Sequence, residues 1–523
     1  MRARPSSRRE FLSDVGKGMI VAGLGYSTAL DLGLAPALAD EPRSSSDRLA
    51  FGARERLASL VQETPPDKLL PALLREMRAG TELKDLVAAA ALANARTFGG
   101  EDYVGFHTFM ALAPAYRMAL ELPAGQRALP VLKVLYRNAS RIHERGAAAG
   151  EALKPVAPTP REREKRGADA IRDAVHRRDV PGAEGLFAGA ACSSASEAWD
   201  DLLETVHEAP EVHRIVLAHR AWDMLELAGK EHAHTMLRQS LRYCLRNEEH
   251  SARHFASVRQ LLPKLLDEHK LVGRAVGTRA MDDAWIERMV QTLFTSTPEQ
   301  AAGAVAASLA EGIAGDTVAE AVTLAANQLI LRDSGRTSRE AQANKPVGSV
   351  HGDSIGLHAC DSANAWRNIA RTASQRNAIA SLILAGYQVA LDRVQRGGNF
   401  QEWKPRPHPE HIEKVTAKDP AELLSALDGA IRAKDQELAC AAAQRSIDLG
   451  HPARPVFDLL LKYSTSEDGA LHAEKYYRTA TDEFANTRAA FRGRHVVALA
   501  RVAASQYGTP APGYVEACKL LEA

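Results

Sequence analysis

Histidine is the residue type whose number and spacing in this chain point to chemistry. The sequence of 523 residues contains 18 histidines and 5 cysteines. One histidine recurs at a similar place in each of four similar segments: His107, His213, His351 and His472. Neutral imidazole is a common ligand of zinc, iron, copper and nickel. We therefore predict that these four side chains meet and bind one transition-metal ion, with iron or zinc as the candidates.

A capping residue followed by proline opens each of the four segments. The dipeptides are Thr64-Pro65, Thr159-Pro160, Thr297-Pro298 and Asp419-Pro420. A capping side chain with proline at the first helical position is typical of a helix start. The histidine follows the capping residue by 53 or 54 positions in three segments and by 43 in the first. This spacing predicts four duplicated helical units.

The third segment adds further candidate catalytic residues. Its densest polar stretch runs from 349 to 367 and contains two histidines and two aspartates. Two glycines in the same stretch permit close approach of the backbone to a bound molecule. The predicted catalytic residues are His107, His351, His358 and Asp361.

The second segment offers a less favoured pair of metal ligands. His219 and Asp223 are four positions apart, so they share one face of a helix. At that spacing a carboxylate can orient an imidazole, or both side chains can bind one ion. His250 and His254 have the same spacing and form a further candidate pair.

Several named motifs are absent from the sequence. It contains no HExxH zinc motif, and its widely spaced cysteines form no CxxC pair. The glycine-rich loops GxGxxG and GxxxxGK[ST], which hold nucleotide phosphates, are also missing. The histidines therefore carry the prediction of a functional site by their recurrence alone.

The elements that must position these residues are helices. Alanine-rich stretches with apolar residues at three- and four-residue spacing occur along the chain, and they predict helices with one buried stripe. No stretch has the sustained two-residue alternation of a strand. We predict an all-α array of about four units, joined by polar, proline-containing connectors. The predicted boundaries are 40–145, 159–270, 285–396 and 419–523.

The first 39 residues predict export. Arg8 and Arg9 precede a short apolar run, Gly18 to Leu30, and Ala37-Leu38-Ala39 fits a cleavage site. This pattern predicts a twin-arginine (Tat) signal, the Tat machinery as a partner, and a periplasmic protein whose signal is cleaved or kept as a membrane anchor. The apolar run is shorter than a transmembrane span, and no later stretch reaches that length. Because the Tat pathway carries folded proteins, export by this pathway is compatible with a cofactor that the protein binds in the cytoplasm before export.

The charge balance argues against nucleic acid as a partner. The chain has 66 basic and 65 acidic residues, which gives a formal net charge of +1. A nucleic-acid-binding protein normally carries a clear excess of basic residues on one face. The remaining candidate partners are a small-molecule substrate and a component of the cell envelope.

Two short stretches resemble a known family. The helix start Gly105-Phe106-His107 and the stretch Val350-His351-Gly352 are similar to histidine-led helix starts of the questin oxidase-like family. The resemblance covers about 30 residues of the chain. It implies an all-α enzyme that inserts oxygen into an aromatic polyketide-type ring or cleaves it, with His107 and His351 near the substrate.

Two functions are compatible with these observations. The first is an exported oxidoreductase or oxygenase that depends on a metal or another cofactor and has a histidine-lined cavity. The second is a non-catalytic helical-repeat protein that binds or scaffolds an envelope partner along its concave face. The first function requires the recurrent histidines to lie together, whereas the second leaves them apart.

Overall fold

The fold is built from α-helices. The computed structural model describes residues 48–160, 166–395 and 400–522. Within these ranges β-pairing is limited to isolated bridges, such as Gly277 with Ala314, so the predicted all-α fold is confirmed. The predicted export signal, residues 1–39, lies outside the described residues. Among the helices described, none combines the length and the apolar character needed to cross a membrane.

From residue 48 onward, the first predicted unit contains five α-helices. They are α1 (Glu55–Glu63), α2 (Pro66–Arg78), α3 (Leu83–Phe98), α4 (Tyr103–Glu121) and α5 (Leu129–Glu144). Helix α3 is buried from Leu86 to its end, and it packs against α1, α4 and α5. Its run of alanines permits this because small side chains let neighbouring backbones approach closely. The N-cap position of helix α2 is Pro65, one residue later than the predicted Thr64, and no side chain caps this helix.

In its described part, 159–160 and 166–270, the second predicted unit contains eight α-helices. They are α6 (Gly167–His176), α7 (Val180–Ser193), α8 (Ala195–Val206), α9 (Val212–Asp223), α10 (Leu225–Ala228), α11 (Ala233–Arg246), α12 (Glu248–His254) and α13 (Ala256–Glu268). The prediction of a helix start at Thr159 is wrong. Thr159 and Pro160 lie outside any helix, and the Thr159 N–H donates to the carbonyl of Gly185 in α7 (2.9 Å). A Cβ atom on Gly185 or Gly189 would overlap Thr159, so these glycines make room for this segment.

The third predicted unit contains five α-helices. They are α14 (Asp283–Thr295), α15 (Pro298–Ala310), α16 (Gly315–Arg332), α17 (Ile355–Thr372) and α18 (Gln375–Gln395). Helix α15 starts as predicted, because the Thr297 hydroxyl and the Gln300 side chain form a capping box. Helix α17 crosses α16 so closely that a Cβ atom on Gly356 would lie 2.6 Å from the backbone nitrogen of Ile330.

The fourth predicted unit and the connector before it contain the remaining helices. They are α19 (Pro409–Lys414), α20 (Pro420–Arg432), α21 (Gln436–Asp448), α22 (Arg454–Ser466), α23 (Ala473–Asn486), α24 (Gly493–Gln506) and α25 (Tyr514–Glu522). Helix α20 starts as predicted. The Asp419 carboxylate accepts the backbone N–H groups of Ala421 and Glu422.

Four helices pack in a closed circle at the centre of the molecule. Helix α4 contacts α9 and α23, and α17 contacts the same two helices on the opposite side. Each of the four helices comes from a different predicted unit. The duplication and its boundaries stay predictions, but this circle explains how positions far apart in the sequence can form one site.

Candidate functional site

Four imidazoles meet where the helices of the central circle begin. We call His107, His213, His358 and His472 the histidine ring. The ring centroids lie 4.9 Å apart for His107 and His213, and 5.4 Å apart for His213 and His358. The circuit closes with 5.2 Å between His358 and His472, and 5.1 Å between His472 and His107. One member comes from each predicted unit.

Each member of the histidine ring lies at the N-terminal end of its helix. His213 is the second residue of α9, His358 is the fourth residue of α17, His107 is the fifth residue of α4, and His472 precedes α23. Side chains fix three of these starts: Asp102, Glu211 and Ser354 accept backbone N–H groups of the first turn. The positive ends of four helix dipoles therefore converge on the ring, which favours neutral imidazole over its cation.

Hydrogen bonds to Nδ1 fix the orientation of three of the imidazoles. His107 Nδ1 donates to the carbonyl of Tyr103 (2.8 Å), and His472 Nδ1 donates to the carbonyl of Ala470 (2.7 Å). His213 Nδ1 lies 2.7 Å from the Glu211 carboxylate. Because carbonyl and carboxylate oxygens accept the Nδ1 proton, the lone pair of each neutral ring is left on Nε2. This is the arrangement of metal-binding histidines.

Two Nε2 atoms of the ring contact each other, and the other two have no partner in the described part of the chain. Nε2 of His107 and Nε2 of His213 are buried and have no hydrogen-bond partner among the residues described. Nε2 of His358 and Nε2 of His472 lie 3.1 Å apart in a hydrogen bond, which His358 donates because the proton of His472 is on Nδ1. Two ligand nitrogens at right angles around one ion, each about 2.1 Å from it, are about 3.0 Å apart. The spacing of His358 and His472 therefore suits two neighbouring ligands of one ion.

The histidine ring is wider than a compact three-ligand site. In the described part of the chain, the groups whose ligand atoms all lie within 4.8 Å of one another are elsewhere: His176 with Glu208 and Glu248, and His408 with Glu410 and His411. An ion held by all four ring members therefore requires the imidazoles to move inward. The other two groups are less suited, because Arg259 contacts both Glu208 and Glu248 and because Glu410 is exposed.

The surroundings keep two ring members neutral. Burial lowers the pKa of His107 and of His472 well below its usual range, and the positive charge of Lys475 lowers both further. Both side chains are only 2% exposed. At neutral pH these imidazoles therefore carry no charge, which is the protonation state that binds a metal ion.

A buried lysine and a buried aspartate lie beside the ring. Lys475 follows His472 by one turn of α23, and burial lowers its pKa to about 8 although the Asp361 carboxylate opposes this effect. Burial raises the pKa of Asp361, whose carboxylate accepts a hydrogen bond from the Thr479 hydroxyl (2.8 Å). The predicted catalytic residue Asp361 thus joins α17 to α23 next to the ring and offers a negative charge to Lys475.

Aromatic side chains cover one side of the ring. The Tyr103 ring lies 4.3 Å from that of His107, and Phe106 lies 4.9 Å from His107 and 5.4 Å from His213. Tyr243 completes this wall against Phe106 and donates its hydroxyl to Glu211. The wall excludes water from one face of the imidazoles and presents flat apolar surfaces to any molecule that reaches them.

The structure places His351 outside the ring. Its Nδ1 lies 2.8 Å from the Ser505 hydroxyl, and its Nε2 lies 2.9 Å from the carbonyl of Asn344. Both nitrogens are therefore occupied, and burial lowers the pKa of His351 to about 4. His351 is therefore not the ring member that the sequence predicted. The reason is local: Ser354 caps α17 after His351, so the histidine in the first turn of this helix is His358.

The stretch from Gly352 to Gly356 also fits the GxSxG spacing of serine hydrolases. Its serine has a structural role, however. The Ser354 hydroxyl donates to the carbonyl of Val350 (2.6 Å) and accepts the backbone N–H of Leu357. No hydrogen bond to a histidine accompanies it, so the contacts described give this serine no activating base.

The less favoured metal pair does not join the ring. His219 lies two turns after His213 on α9 and is buried, and burial lowers its pKa to about 3. Asp223 pairs with Arg220 (3.5 Å). His250 and His254 stack on each other with centroids 4.1 Å apart in a short, exposed helix.

Two neighbours of the ring were not predicted from the sequence. Glu211 lies two positions before His213. Its carboxylate accepts hydrogen bonds from His213 Nδ1, from two backbone N–H groups and from the Tyr243 hydroxyl. Burial alone would raise the pKa of Glu211, but His213 and these hydrogen bonds lower it to about 2. Lys475 lies three positions after His472, which places both at the start of one helix. The i, i+3 spacing was visible in the sequence, but burial of the lysine was not.

Comparisons with known proteins add no relative. No family of known proteins matches the chain, and no curated protein or solved structure matches it. Any function assigned to the chain therefore rests on its own residues.

Proposed function

We propose that the chain is an exported, metal-dependent oxidoreductase whose metal ion is held by the histidine ring. The observation that carries this proposal is the clustering of four imidazoles in which Nδ1 of His107, His213 and His472 is anchored, so that the lone pair is left on Nε2. Structural zinc sites usually use thiolates, whereas this ring is all-imidazole. The arrangement favours a catalytic ion over a structural one.

The residues around the ring have separable roles in this proposal. The four imidazoles hold the ion, and Glu211 orients His213 and increases its basicity. Tyr103 and Phe106 exclude water and contact a flat substrate. An iron ion would supply oxygen activation, and a zinc ion would polarise a substrate oxygen.

The substrate class in this proposal comes from the resemblance to the questin oxidase-like family. That resemblance implies insertion of oxygen into an aromatic polyketide-type ring, or its cleavage, and the aromatic wall beside His107 suits such a molecule. The alternative, a non-catalytic scaffold for an envelope partner, leaves the recurrent histidines apart. The convergence of His107, His213 and His472 with His358 favours the enzyme.

Metal content tests the proposal. Purified protein reconstituted with Fe(II) or Zn(II) and then desalted is expected to retain about one ion per chain by elemental analysis. His358→Ala is expected to lose most of it, because this residue provides one of the two nitrogens already at ligand spacing. His250→Ala, which removes an exposed histidine away from the ring, is the matched control. No retained metal in the parent protein, or full retention in His358→Ala, contradicts the proposal.

Export is a separate part of the proposal, based on Arg8, Arg9 and the apolar run that follows them. Residues 1–39 fused to a reporter enzyme are expected to carry it to the periplasm of a Gram-negative host. A fusion with both Arg8→Lys and Arg9→Lys is expected to leave the reporter in the cytoplasm, since the pathway reads the arginine pair. Equal cytoplasmic activity from both fusions after cell fractionation would count against Tat export.

A further inference from the structure

A cavity of about 310 Å³ lies between the third and fourth predicted units. Helices α14, α16, α21 and α24 and the connector residues 405–407 line it, and no member of the histidine ring is among its lining residues. Its wall combines apolar side chains with three guanidinium groups. Glu287 and three glutamine side chains also line it, so the wall is mostly polar, with Phe294, Leu331 and Val497 among its apolar residues. A concave site that holds several fixed polar groups is a candidate small-molecule site.

The three arginines of this cavity differ in how their charges are balanced. Arg494 pairs with Glu287 (2.5 Å), and Arg406 pairs with Glu437 (2.5 Å). Arg332 has no carboxylate partner in the described ranges. Its Nε donates to Gln328 (3.0 Å) and its Nη1 to the carbonyl of Trp403 (2.6 Å). These neutral partners leave one positive charge of the cavity unbalanced.

Arg332 is held in place although its charge is unbalanced. Its guanidinium stacks over the Phe294 ring at 5.1 Å, and the two hydrogen bonds fix its plane. Burial lowers the pKa of Arg332, and no carboxylate opposes that effect. Half-burying a cation without a counter-ion costs free energy, and an anion in the cavity would recover it.

We propose that this cavity binds a small organic monoanion, with its carboxylate on Arg332 and its apolar body against Phe294, Leu331 and Val497. The net charge of the three arginines with Glu287 and Glu437 is +1, which matches one negative charge on the ligand. The cavity has room for about ten water-sized atoms. A planar guanidinium also suits a carboxylate, because the two can form parallel hydrogen bonds.

Calorimetric titration of the purified full-length chain with benzoate tests this inference. Benzoate is expected to bind with a dissociation constant in the millimolar range or below, and Arg332→Gln is expected to weaken it at least tenfold. Arg288→Gln, which removes an exposed arginine of α14 that does not line the cavity, is expected to bind benzoate like the parent. Benzamide has the same shape without the charge and is expected to bind at least tenfold more weakly to the parent.

Three outcomes would overturn the inference. They are unchanged benzoate affinity in Arg332→Gln, equal affinity of the parent for benzamide and benzoate, and loss of benzoate binding in His358→Ala. The last outcome would place the ligand at the histidine ring instead. Because the metal assay and the benzoate titration use different variants and readouts, failure of the proposed function is distinguishable from failure of this inference.

Discussion

Replacing Arg367 with methionine is expected to lower the free energy of unfolding by about 3–5 kcal/mol. Arg367 of α17 and Glu483 of α23 form an ion pair of 2.6 Å, and both are at most 2% exposed. Asn364 donates to the same carboxylate (2.8 Å). Methionine fills similar space but leaves the Glu483 charge buried without its cation. The measurement is urea unfolding followed by fluorescence.

The same helix offers a matched control for this substitution. Arg371 follows Arg367 by one turn and pairs with Asp316, but both are at least 35% exposed, so Arg371→Met is expected to cost less than about 1 kcal/mol. The double variant Arg367→Met with Glu483→Gln is expected to recover much of the loss, because it removes the stranded charge. Equal stabilities for Arg367→Met and Arg371→Met would refute the role assigned to the buried pair.

Acid is expected to destabilise the protein as the pH falls from about 7 to about 4. Burial lowers the pKa of His207 to about 3, and it lowers those of His351 and His495 to about 4. In the unfolded chain histidine titrates near pH 6.5. Between these values the unfolded chain binds protons that the folded chain does not, so stability is full above pH 6.5 and is lost below it. Each such histidine contributes on the order of 3 kcal/mol to this change.

His207 isolates one part of the acid effect. Its Nε2 lies 3.0 Å from the Ser381 hydroxyl and its ring stacks on Trp366, so His207→Gln keeps a polar group in that space without a titrating ring. Urea unfolding at intervals from pH 7.5 to pH 4.5 is expected to give a shallower dependence on pH for the variant. Subtracting the pH dependence of the variant's unfolding free energy from that of the parent removes the contributions that both share, including those of the histidine ring. Identical pH dependences would mean that His207 is not neutral in the fold.

The helical architecture was accessible from the sequence because local patterns determine it. Alanine-rich stripes predicted buried helices such as α3, and the capping signals at Thr297 and Asp419 marked helix starts correctly. The signal at Thr159 failed because tertiary packing against Gly185 holds Thr159 outside any helix. A cap and a proline favour a helix start, but a neighbouring helix can offer the chain other partners.

The histidine ring was only partly accessible from the sequence. Spacing selected His107, His213 and His472, which the structure brings together. In the third unit it selected His351, because both histidines lie in the same polar stretch. Locating the helix start at Ser354 would have favoured His358, since the other ring members also lie at helix starts. The burial of Lys475 beside Asp361 depends on contacts between units, and the bond from Tyr243 to Glu211 joins distant helices of one unit, so no local pattern encodes either.

The closed circle of α4, α9, α17 and α23 has a consequence for when and how an ion reaches the site. Its four histidines extend from position 107 to position 472, so a nascent chain does not contain the complete ring until the last unit has left the ribosome. If the ring binds metal as proposed, the complete site can bind its ion only after the whole chain has been synthesised. His107 and His472 are sealed, whereas His213 is 15% exposed and His358 is partly exposed. Under the proposed function, an ion would approach from the side of these two imidazoles, although Nε2 of His213 is itself buried.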